Sequence, residues 1–230
     1  MRKLLQLLIV VFVFSGGISA AHAGGVQIGR TRVIYNANDK EEALPIINKG
    51  ADTPWLVQSW VDTGDGKTRG PFIITPPLFR LDPQKEQSLR IIWSGVPLPE
   101  NRESLFYINV RTIPASDKAN KDSNMLRLIY KTRLKLFFRP QGLKGTPTEA
   151  CRNLTFTRDG KTLRVNNNSN YYIVFDSLFM ANTAIPGADT VSPASTVALH
   201  LPANTASQTV TWRCISDYGN ASEKFSFSLK

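Results

Sequence analysis

The sequence predicts an all-β protein with two immunoglobulin-like β-sandwich domains. Short apolar or alternating segments, separated by turn residues, run from one end of the chain to the other, and none keeps a helical period. Aromatic residues make up 10% of the 230 residues, and 15 Gly and 14 Pro are spread throughout, as turns between strands require. With 42% hydrophobic and 20% charged residues, the composition excludes a wholly disordered chain.

Residues 1–23 have the features of a secretory signal peptide. Two basic residues begin it, an apolar run fills 4–14, and the small-x-small pattern Ala21-His22-Ala23 ends it. The run is too short to span a bilayer, which takes about 20 apolar residues; an uncleaved anchor is the alternative. We expect a mature chain that begins at Gly24, is exported, and is not embedded in a membrane.

The mature chain is basic. Its formal charge falls from +10 to +8 when Arg2 and Lys3 are removed. Nucleic acid is a common partner of such a charge, but an exported protein rarely meets it, and the basic residues form no continuous run. We therefore expect no nucleic-acid partner and interpret most of the charge as a solvated surface.

The cysteines and histidines argue against an enzyme. Cys151 and Cys214 are the only cysteines, and we expect them to form a disulfide in an oxidising compartment. That bond would be worth about 4 kcal/mol for its loop length; two buried free thiols are the alternative. His200 is the only histidine of the mature chain, and GxSxG, P-loop, HExxH and GxGxxG motifs are absent. We predict no catalytic residues, no metal site and no cofactor.

The first half predicts about the number of strands in an immunoglobulin-like sandwich. These strands are 26–35, 43–48, 55–62, 71–75, 87–93, 105–112 and 125–138. The turn at 63–67, Thr-Gly-Asp-Gly-Lys, separates the third from the fourth. The segment 139–147 holds two Pro and two Gly and predicts a linker or elbow.

Strands resume after this break. They are predicted at 153–158, 161–165, 171–180, 196–201, 208–215 and 224–229. Asp159-Gly160 between the first two is a hairpin signal, and the last strand alternates Phe and Leu with Ser, which predicts one buried face. The predicted division is a first domain, a linker and a second domain at 24–140, 141–147 and 148–230.

The longest predicted strand, 125–138, is the most informative. A period of two places Leu126, Leu128 and Tyr130 on one face and basic residues on the other. A strand of this length should extend beyond a small domain, and its apolar row would then be exposed and favour pairing with another strand. The alternative, that the whole row lies in the core, is equally consistent with the sequence.

Several segments carry a resemblance to a known family. The stretch 98–114, Leu-Pro-Glu-Asn-Arg-Glu-Ser-Leu-Phe-Tyr-Ile-Asn-Val-Arg-Thr-Ile-Pro, closely resembles the signature of the PapD-like periplasmic chaperones of the chaperone–usher pathway. The segments 31–35, 75–81 and 135–140 agree with it, and Ser216-Asp217-Tyr218-Gly219 matches a second-domain motif. The resemblance covers essentially the whole mature chain. It implies two immunoglobulin-like domains set at an angle with a cleft between them.

The resemblance also implies a function. Such chaperones capture pilin subunits in the periplasm by donating an edge strand to the subunit's open sandwich, and deliver them to an outer-membrane usher. Here the inserted residues would be Leu126, Leu128 and Tyr130. Arg32 and Lys135 would anchor the pilin's C-terminal carboxylate, which can accept hydrogen bonds from a guanidinium and an ammonium together.

The same match assigns further roles. Glu103, Arg139 and Asp217 would form an ionic network that links the two domains and holds the cleft angle. The segment 115–124 is short and has no Cys, which resembles the members that serve rod-like pili with tip adhesins. A self-dimer through the exposed strand would protect that edge in the free protein.

Two other functions stay open. A structural pilin or adhesin is also an exported sandwich, but it usually has one domain that lacks a final strand, and it would polymerise. An exported polyanion- or carbohydrate-binding module is supported by the positive charge and the four Trp. Such a module would bind heparin-like polymers with a steep salt dependence.

Overall fold

The computed structural model describes residues 24–115, 128–203 and 207–229. Within these residues the chain forms two β-sandwiches, each with its own hydrophobic core, which confirms the predicted fold class. The signal peptide predicted at 1–23 and the predicted inserted residue Leu126 lie outside the described residues. None of the described helices is long and apolar enough to cross a membrane.

The first sandwich is built from two sheets. Its strands are β1 (Val26–Ile28), β2 (Arg32–Asn36), β3 (Glu42–Asn48), β4 (Trp55–Asp62), β5 (Phe72–Thr75), β6 (Leu78–Leu81), β7 (Glu86–Trp93), β8 (Ser104–Pro114) and β9 (Tyr130–Arg139). One sheet has the order β1-β3-β7-β5 and the other β2-β9-β8-β4-β6. Alternate side chains point inward and meet in a core that includes Val33, Leu44, Ile46, Ile91, Ile108 and Leu136.

The prediction of a single strand at 26–35 is wrong, because the chain crosses from one sheet to the other within these residues. β1 pairs antiparallel with β3, whereas β2 pairs in parallel with β9 in the opposite sheet. The crossing lies at 29–31, where the main-chain N–H of Gly29 donates to the carbonyl of Pro45 at 2.8 Å. β1 (Val-Gln-Ile) and the centre of β2 (Val-Ile-Tyr) both consist mainly of strand-forming residues, so the pattern alone does not reveal the crossing. It matters because it places the start of β2 beside the middle of β9.

The second sandwich begins with a short helix. It contains α1 (Pro147–Arg152), β10 (Thr155–Asp159), β11 (Thr162–Asn167), β12 (Ile173–Met180), β13 (Thr183–Ala184), β14 (Thr190–Val191), β15 (Ser195–His200), β16 (Thr209–Cys214) and β17 (Phe225–Ser228). One sheet has the order β10-β11-β15; the other has β13-β12-β16-β17, with β14 also on β12. The core surrounds the fully buried Trp212. Cys151 on α1 and Cys214 on β16 form a disulfide whose Cα atoms are 6.3 Å apart.

Sequence analysis missed α1, although its N-terminal signals are present. The Thr146 hydroxyl caps the helix by accepting a hydrogen bond from the main-chain N–H of Glu149 at 3.2 Å, and Pro147 occupies the first turn. A helix of six residues is too short to show a 3.6-residue period. The predicted hairpin joins β10 to β11, and Gly160 takes a positive φ of 55° in its turn.

Candidate functional site

β9 has one free edge in the structure. Along Tyr130–Phe138 it pairs with β8, and on its other side β2 pairs only with Lys135–Arg139. From Tyr130 to Leu134, no described strand lies on the β2 side. The main-chain groups on that side of this stretch are therefore available to an added strand.

The apolar row of β9 leaves the core along this free edge. Within β9, Leu134 and Leu136 are 4% and 0% exposed, whereas Tyr130 is 53% exposed. Leu128 is 51% exposed and precedes the strand, because β9 begins at Tyr130 and the described residues 128 and 129 of the strand predicted at 125–138 are not paired. Tyr130 rests against Trp55, with ring centroids 6.4 Å apart, and Ile129 is also exposed. Of the two alternatives that the sequence left open, the structure supports an apolar row that is buried at one end and presented to solvent at the other.

Two cationic side chains lie at the end of the free edge, where β2 begins to pair with β9. Arg32 is the first residue of β2, and its parallel register pairs it with Lys135 of β9. Their side chains lie on the face that points away from the first core, since the neighbouring Val33 and Leu136 fill that core. The pairing of β2 with β9 thus brings together two residues that are distant in the sequence.

Arg32 is held in the cleft between the sandwiches. It is 9% exposed, its Nη1 donates to the carbonyl of Ile215 at 3.3 Å, and its guanidinium lies 5.9 Å from the ring of Phe137. Its Nε is buried without a hydrogen-bond partner. Burial lowers the pKa of Arg32, and the negative charges of Asp217 and Asp189 oppose this effect. The guanidinium retains donor capacity for a further acceptor.

Lys135 already has a carboxylate partner from the second sandwich. Its Nζ donates to Oδ1 of Asp189 at 2.7 Å. The Lys135 side chain is 19% exposed, whereas the Asp189 side chain is 71% exposed. The ion pair therefore joins a cation fixed in the cleft to an acid at its solvent-facing rim.

A denser ionic network joins the two sandwiches. Arg139 donates from Nε to Oε1 of Glu103 at 2.7 Å, and from Nη1 and Nη2 to the two Asp217 oxygens at 2.7 and 2.9 Å. The second Glu103 oxygen accepts a hydrogen bond from the main-chain N–H of Tyr172 at 2.8 Å. Through these bonds, Glu103 and Arg139 of the first sandwich hold Tyr172 and Asp217 of the second.

The pKa values within this network follow from burial and charge. Burial raises the pKa of Glu103, and the attraction of Arg139 only partly offsets it. For Arg139, burial acts to lower the pKa, but the hydrogen bonds and charges of Asp217 and Glu103 outweigh it and raise the pKa. Glu103 is 3% exposed, so its charge depends on Arg139 for stabilisation.

The sandwiches also approach closely at Thr31 and Gly219. Gly219 has a φ of 88°, and a Cβ built there would overlap the Oγ1 of Thr31. Glycine meets both requirements, the positive φ and the missing side chain. This contact lies next to Asp217 and Arg32 in the sequence, so it limits how closely the two sandwiches approach beside the cleft.

Comparisons with known proteins cover both sandwiches. The family model described as "Pili and flagellar-assembly chaperone, PapD N-terminal domain" matches residues 25–144. The model described as "Pili assembly chaperone PapD, C-terminal domain" matches 149–226. The chain belongs to the PapD-like family of pilus-assembly chaperones. This is a family of chaperones rather than a class of enzymes.

PapD-like relatives resemble the chain along most of its length. The probable fimbrial chaperone LpfB of Escherichia coli O157:H7 is 41% identical over 202 residues, which cover 87% of each chain. The chaperone FimC of Escherichia coli K12 is 38% identical over 220 residues, 95% of this chain and 90% of FimC. Among solved structures, a chain of the Salmonella enterica SafA pilin–SafB chaperone complex superposes with a TM-score of 0.82 at 33% identity, covering 89% of this chain and 96% of that one. The Escherichia coli chaperone DraB gives 0.80 at 37% identity, with 90% and 97% covered.

The PapD-like resemblance selected most of the residues that the structure brings together. Arg32 lies beside Lys135, and Glu103, Arg139 and Asp217 are in direct contact. Sequence reasoning missed three partners: Asp189, the main-chain N–H of Tyr172, and the carbonyl of Ile215. Asp189 lies outside every predicted strand and motif, and main-chain partners leave no sequence signal.

Proposed function

We propose that this chain is a periplasmic chaperone that captures pilin subunits by donating the free edge of β9 and anchoring the pilin's C-terminal carboxylate. The observation that carries the proposal is the apolar row of β9, which leaves the core beside Arg32 and Lys135. The names of the fimbrial chaperone relatives and the SafA pilin–SafB complex support pilin as the partner.

The sheet register suggests how the pilin strand would lie. A strand added along Tyr130–Leu134 would lie in line with β2, which pairs with the same edge of β9 from Lys135 onward. A C-terminal carboxylate reaches Arg32 and Lys135 only if the added strand ends there, so it would run parallel to β9. Main-chain hydrogen bonds would supply affinity that depends little on the pilin sequence, and alternate apolar side chains would set the register.

Leu126, Leu128 and Tyr130 are our proposed inserted residues. Leu128 and Tyr130 are both about half exposed in the free protein, so burying them in a pilin groove would remove apolar surface from water. Because about half of each side chain is already covered, burying the rest would contribute about half of the 1.5–3 kcal/mol of a full burial, roughly 0.7–1.5 kcal/mol each. The pilin would gain the same benefit, because its open core would be covered.

The network of Glu103, Arg139 and Asp217 would hold the two domains at a fixed cleft angle. The hydrogen bonds of Arg139 support this role. Its planar guanidinium bonds to Glu103 of the first sandwich and to Asp217 of the second, which restricts rotation of one sandwich against the other. The two separate cores support the division into 24–140, the linker 141–147 and 148–230. The disulfide of Cys151 and Cys214 would brace the second domain.

Export and further partners complete the proposal. Residues 1–23 would direct the chain to the periplasm and be cleaved before Gly24. The captured pilin would pass to an outer-membrane usher, and before capture the exposed edge of β9 would be protected by a self-dimer.

The test is affinity capture of the tagged mature protein from the periplasm of its own source, followed by mass spectrometry. We expect a stoichiometric pilin-like partner that is lost in Lys135→Ala and in Arg32→Ala, while circular dichroism shows that both variants fold. Lys40→Ala, an exposed lysine of the first sandwich, is the matched control and should capture normally. Normal capture by both cleft variants would refute the anchor.

A second candidate is the polyanion-binding module, which one surface cluster favours. Around the Trp60 indole, the charged groups of Arg69, Arg111 and Lys131 lie 5.6, 5.3 and 5.3 Å from the ring centroid. Arg111 and Lys131 are cross-strand neighbours, although like charges in that position are destabilising. Salt-dependent heparin binding that is lost in Arg111→Gln with Lys131→Gln, in a protein that captures no pilin, would favour this function.

A further inference from the structure

Asp189 places a carboxylate of the protein itself at the proposed carboxylate anchor. Its Oδ1 accepts the 2.7 Å hydrogen bond from Lys135. Its main-chain carbonyl accepts a hydrogen bond from the N–H of Phe175 at 2.9 Å, directly before β14. The second sandwich therefore fixes the Asp189 main chain and presents its side chain to Lys135.

The same carboxylate acts on the second cation. The charge of Asp189 is one of the two that favour the protonated form of the buried Arg32. Arg32 donates one hydrogen bond to Ile215 and has an unpartnered buried Nε. In chemical terms, Asp189 takes part of the position that a pilin's terminal carboxylate would fill.

The exposed fractions of the two side chains indicate which of them would leave the ion pair when a client carboxylate binds. The Asp189 side chain is 71% exposed and can turn into water, whereas Lys135 is 19% exposed and stays within the cleft. An ion pair with one well-exposed partner is weak, so a client's carboxylate can displace Asp189. Because Asp189 is tethered beside Lys135, at an effective concentration of about millimolar, it still competes with carboxylates that are dilute in solution.

We propose that Asp189 is a specificity-determining residue of the carboxylate site, which occupies Lys135 in the free protein and must be displaced by the client's C-terminal carboxylate. The inference rests on the proposed function, since it takes Arg32 and Lys135 as the anchor. A free anion or a short acidic peptide gains little by replacing Asp189. A client that also adds a strand to β9 gains main-chain hydrogen bonds and apolar burial, so Asp189 selects for clients that bring both.

A purely structural role predicts a different outcome. If Asp189 mainly held the two sandwiches together, its loss would change the binding of every strand, whatever its terminal group. The contacts of Arg139 with Glu103 and Asp217 already join the sandwiches without Asp189. A competitor at Lys135 instead affects only ligands that carry a terminal carboxylate.

The experiment compares two synthetic peptides that differ at one group. Both are acetylated strands of about ten residues that alternate Val and Thr; one ends in a free carboxylate and the other in an amide. Fluorescence anisotropy measures their dissociation constants with the mature protein. We expect Asp189→Asn to bind the carboxylate peptide about two- to fivefold more tightly and the amide peptide as the unchanged protein does. Asp189→Glu, which keeps the charge, and Asp176→Asn, an exposed acid of the same sandwich, should bind both peptides like the unchanged protein.

Other results would contradict either the role of Asp189 or the proposed function. Unchanged carboxylate binding in Asp189→Asn, or an equal change for both peptides, would overturn the role of Asp189. If the double variant Arg32→Ala with Lys135→Ala still preferred the carboxylate peptide to the amide, the anchor of the proposed function would fail instead. Failure of the unchanged protein to bind either peptide would count against the strand site itself.

Discussion

Loss of Arg139 is the perturbation whose effect follows most directly from the structure. Glu103 is 3% exposed and has two partners, Arg139 and the main-chain N–H of Tyr172. In Arg139→Ala, a buried carboxylate would keep one neutral donor. Removing one partner of a buried ion pair destabilises a protein by about 3–5 kcal/mol, because the other charge is left uncompensated.

The structure places the expected loss at the low end of that range. The Arg139 side chain is 18% exposed, so water would reach part of the vacated space. Asp217, the other partner, is 34% exposed, and its half of the network would add only about 0–1 kcal/mol. We expect the free energy of unfolding at neutral pH to fall by about 3 kcal/mol.

The loss should depend on pH with a definite sign. Burial raises the pKa of Glu103 even with Arg139 present, and removing Arg139 raises it further. A group whose pKa is raised by folding contributes stability below its unfolded pKa, and this contribution is lost as pH rises through the folded value. Arg139→Ala should therefore show the whole loss of unfolding free energy at pH values above the raised pKa of Glu103. The loss should become smaller as the pH falls toward about 4.3, the ordinary glutamate value, because the protonated Glu103 carries no charge.

Urea unfolding followed by circular dichroism measures this loss, with a double variant as the decisive comparison. In Arg139→Ala with Glu103→Gln, the neutral amide oxygen can still accept from Tyr172 and no charge is buried. We expect the double variant to recover most of the stability lost in Arg139→Ala. If it is no more stable than the single variant, the buried charge of Glu103 is not the cause of the lost stability.

Three further predictions concern the edge strand, the domain contact and the disulfide. Leu128→Glu puts a charge in the exposed apolar row and should abolish pilin capture without loss of stability, since Leu128 is half exposed; pull-down and urea unfolding check this. Gly219→Ala should lower the melting temperature and weaken capture, and Thr31→Ala should rescue it in part, because the atom that overlaps the new Cβ is the Thr31 Oγ1. Replacing Cys151 and Cys214 by Ala should destabilise the second sandwich by about 4 kcal/mol in urea.

Each of these has a contrary outcome. Normal capture by Leu128→Glu would mean that the inserted register is wrong. A melting temperature unchanged in Gly219→Ala would show that Thr31 moves aside without a penalty. For the cysteines, an unfolding midpoint of the second sandwich that matches the unchanged protein would leave the disulfide without a stabilising role.

The two sandwiches could be predicted because the alternation of apolar residues is local. The fate of the apolar row of β9 could not, since it depends on which strand lies beside it. β2 covers that edge only from Lys135 onward, so Leu136 is buried while Tyr130 is exposed. The change of sheet between β1 and β2, which creates this arrangement, interrupts no sequence pattern.

The candidate site could be predicted even less well from local sequence patterns. Arg32 and Lys135 became a pair in the sequence only through the family resemblance, and the parallel register places them side by side. Asp189 belongs to no pattern and meets Lys135 only after both sandwiches have folded and docked. The helix at Pro147–Arg152 is the opposite case, because its capping signals were present and its short length concealed them.

Amide hydrogen exchange on the free protein and on the captured complex measures whether the free edge of β9 receives a pilin strand. We expect new protection along Tyr130–Leu134, with little change in β8, which is already paired on both sides. Protection that appears around Trp60 instead, with β9 exchanging as it does in the free protein, would mean that β9 does not receive the pilin strand.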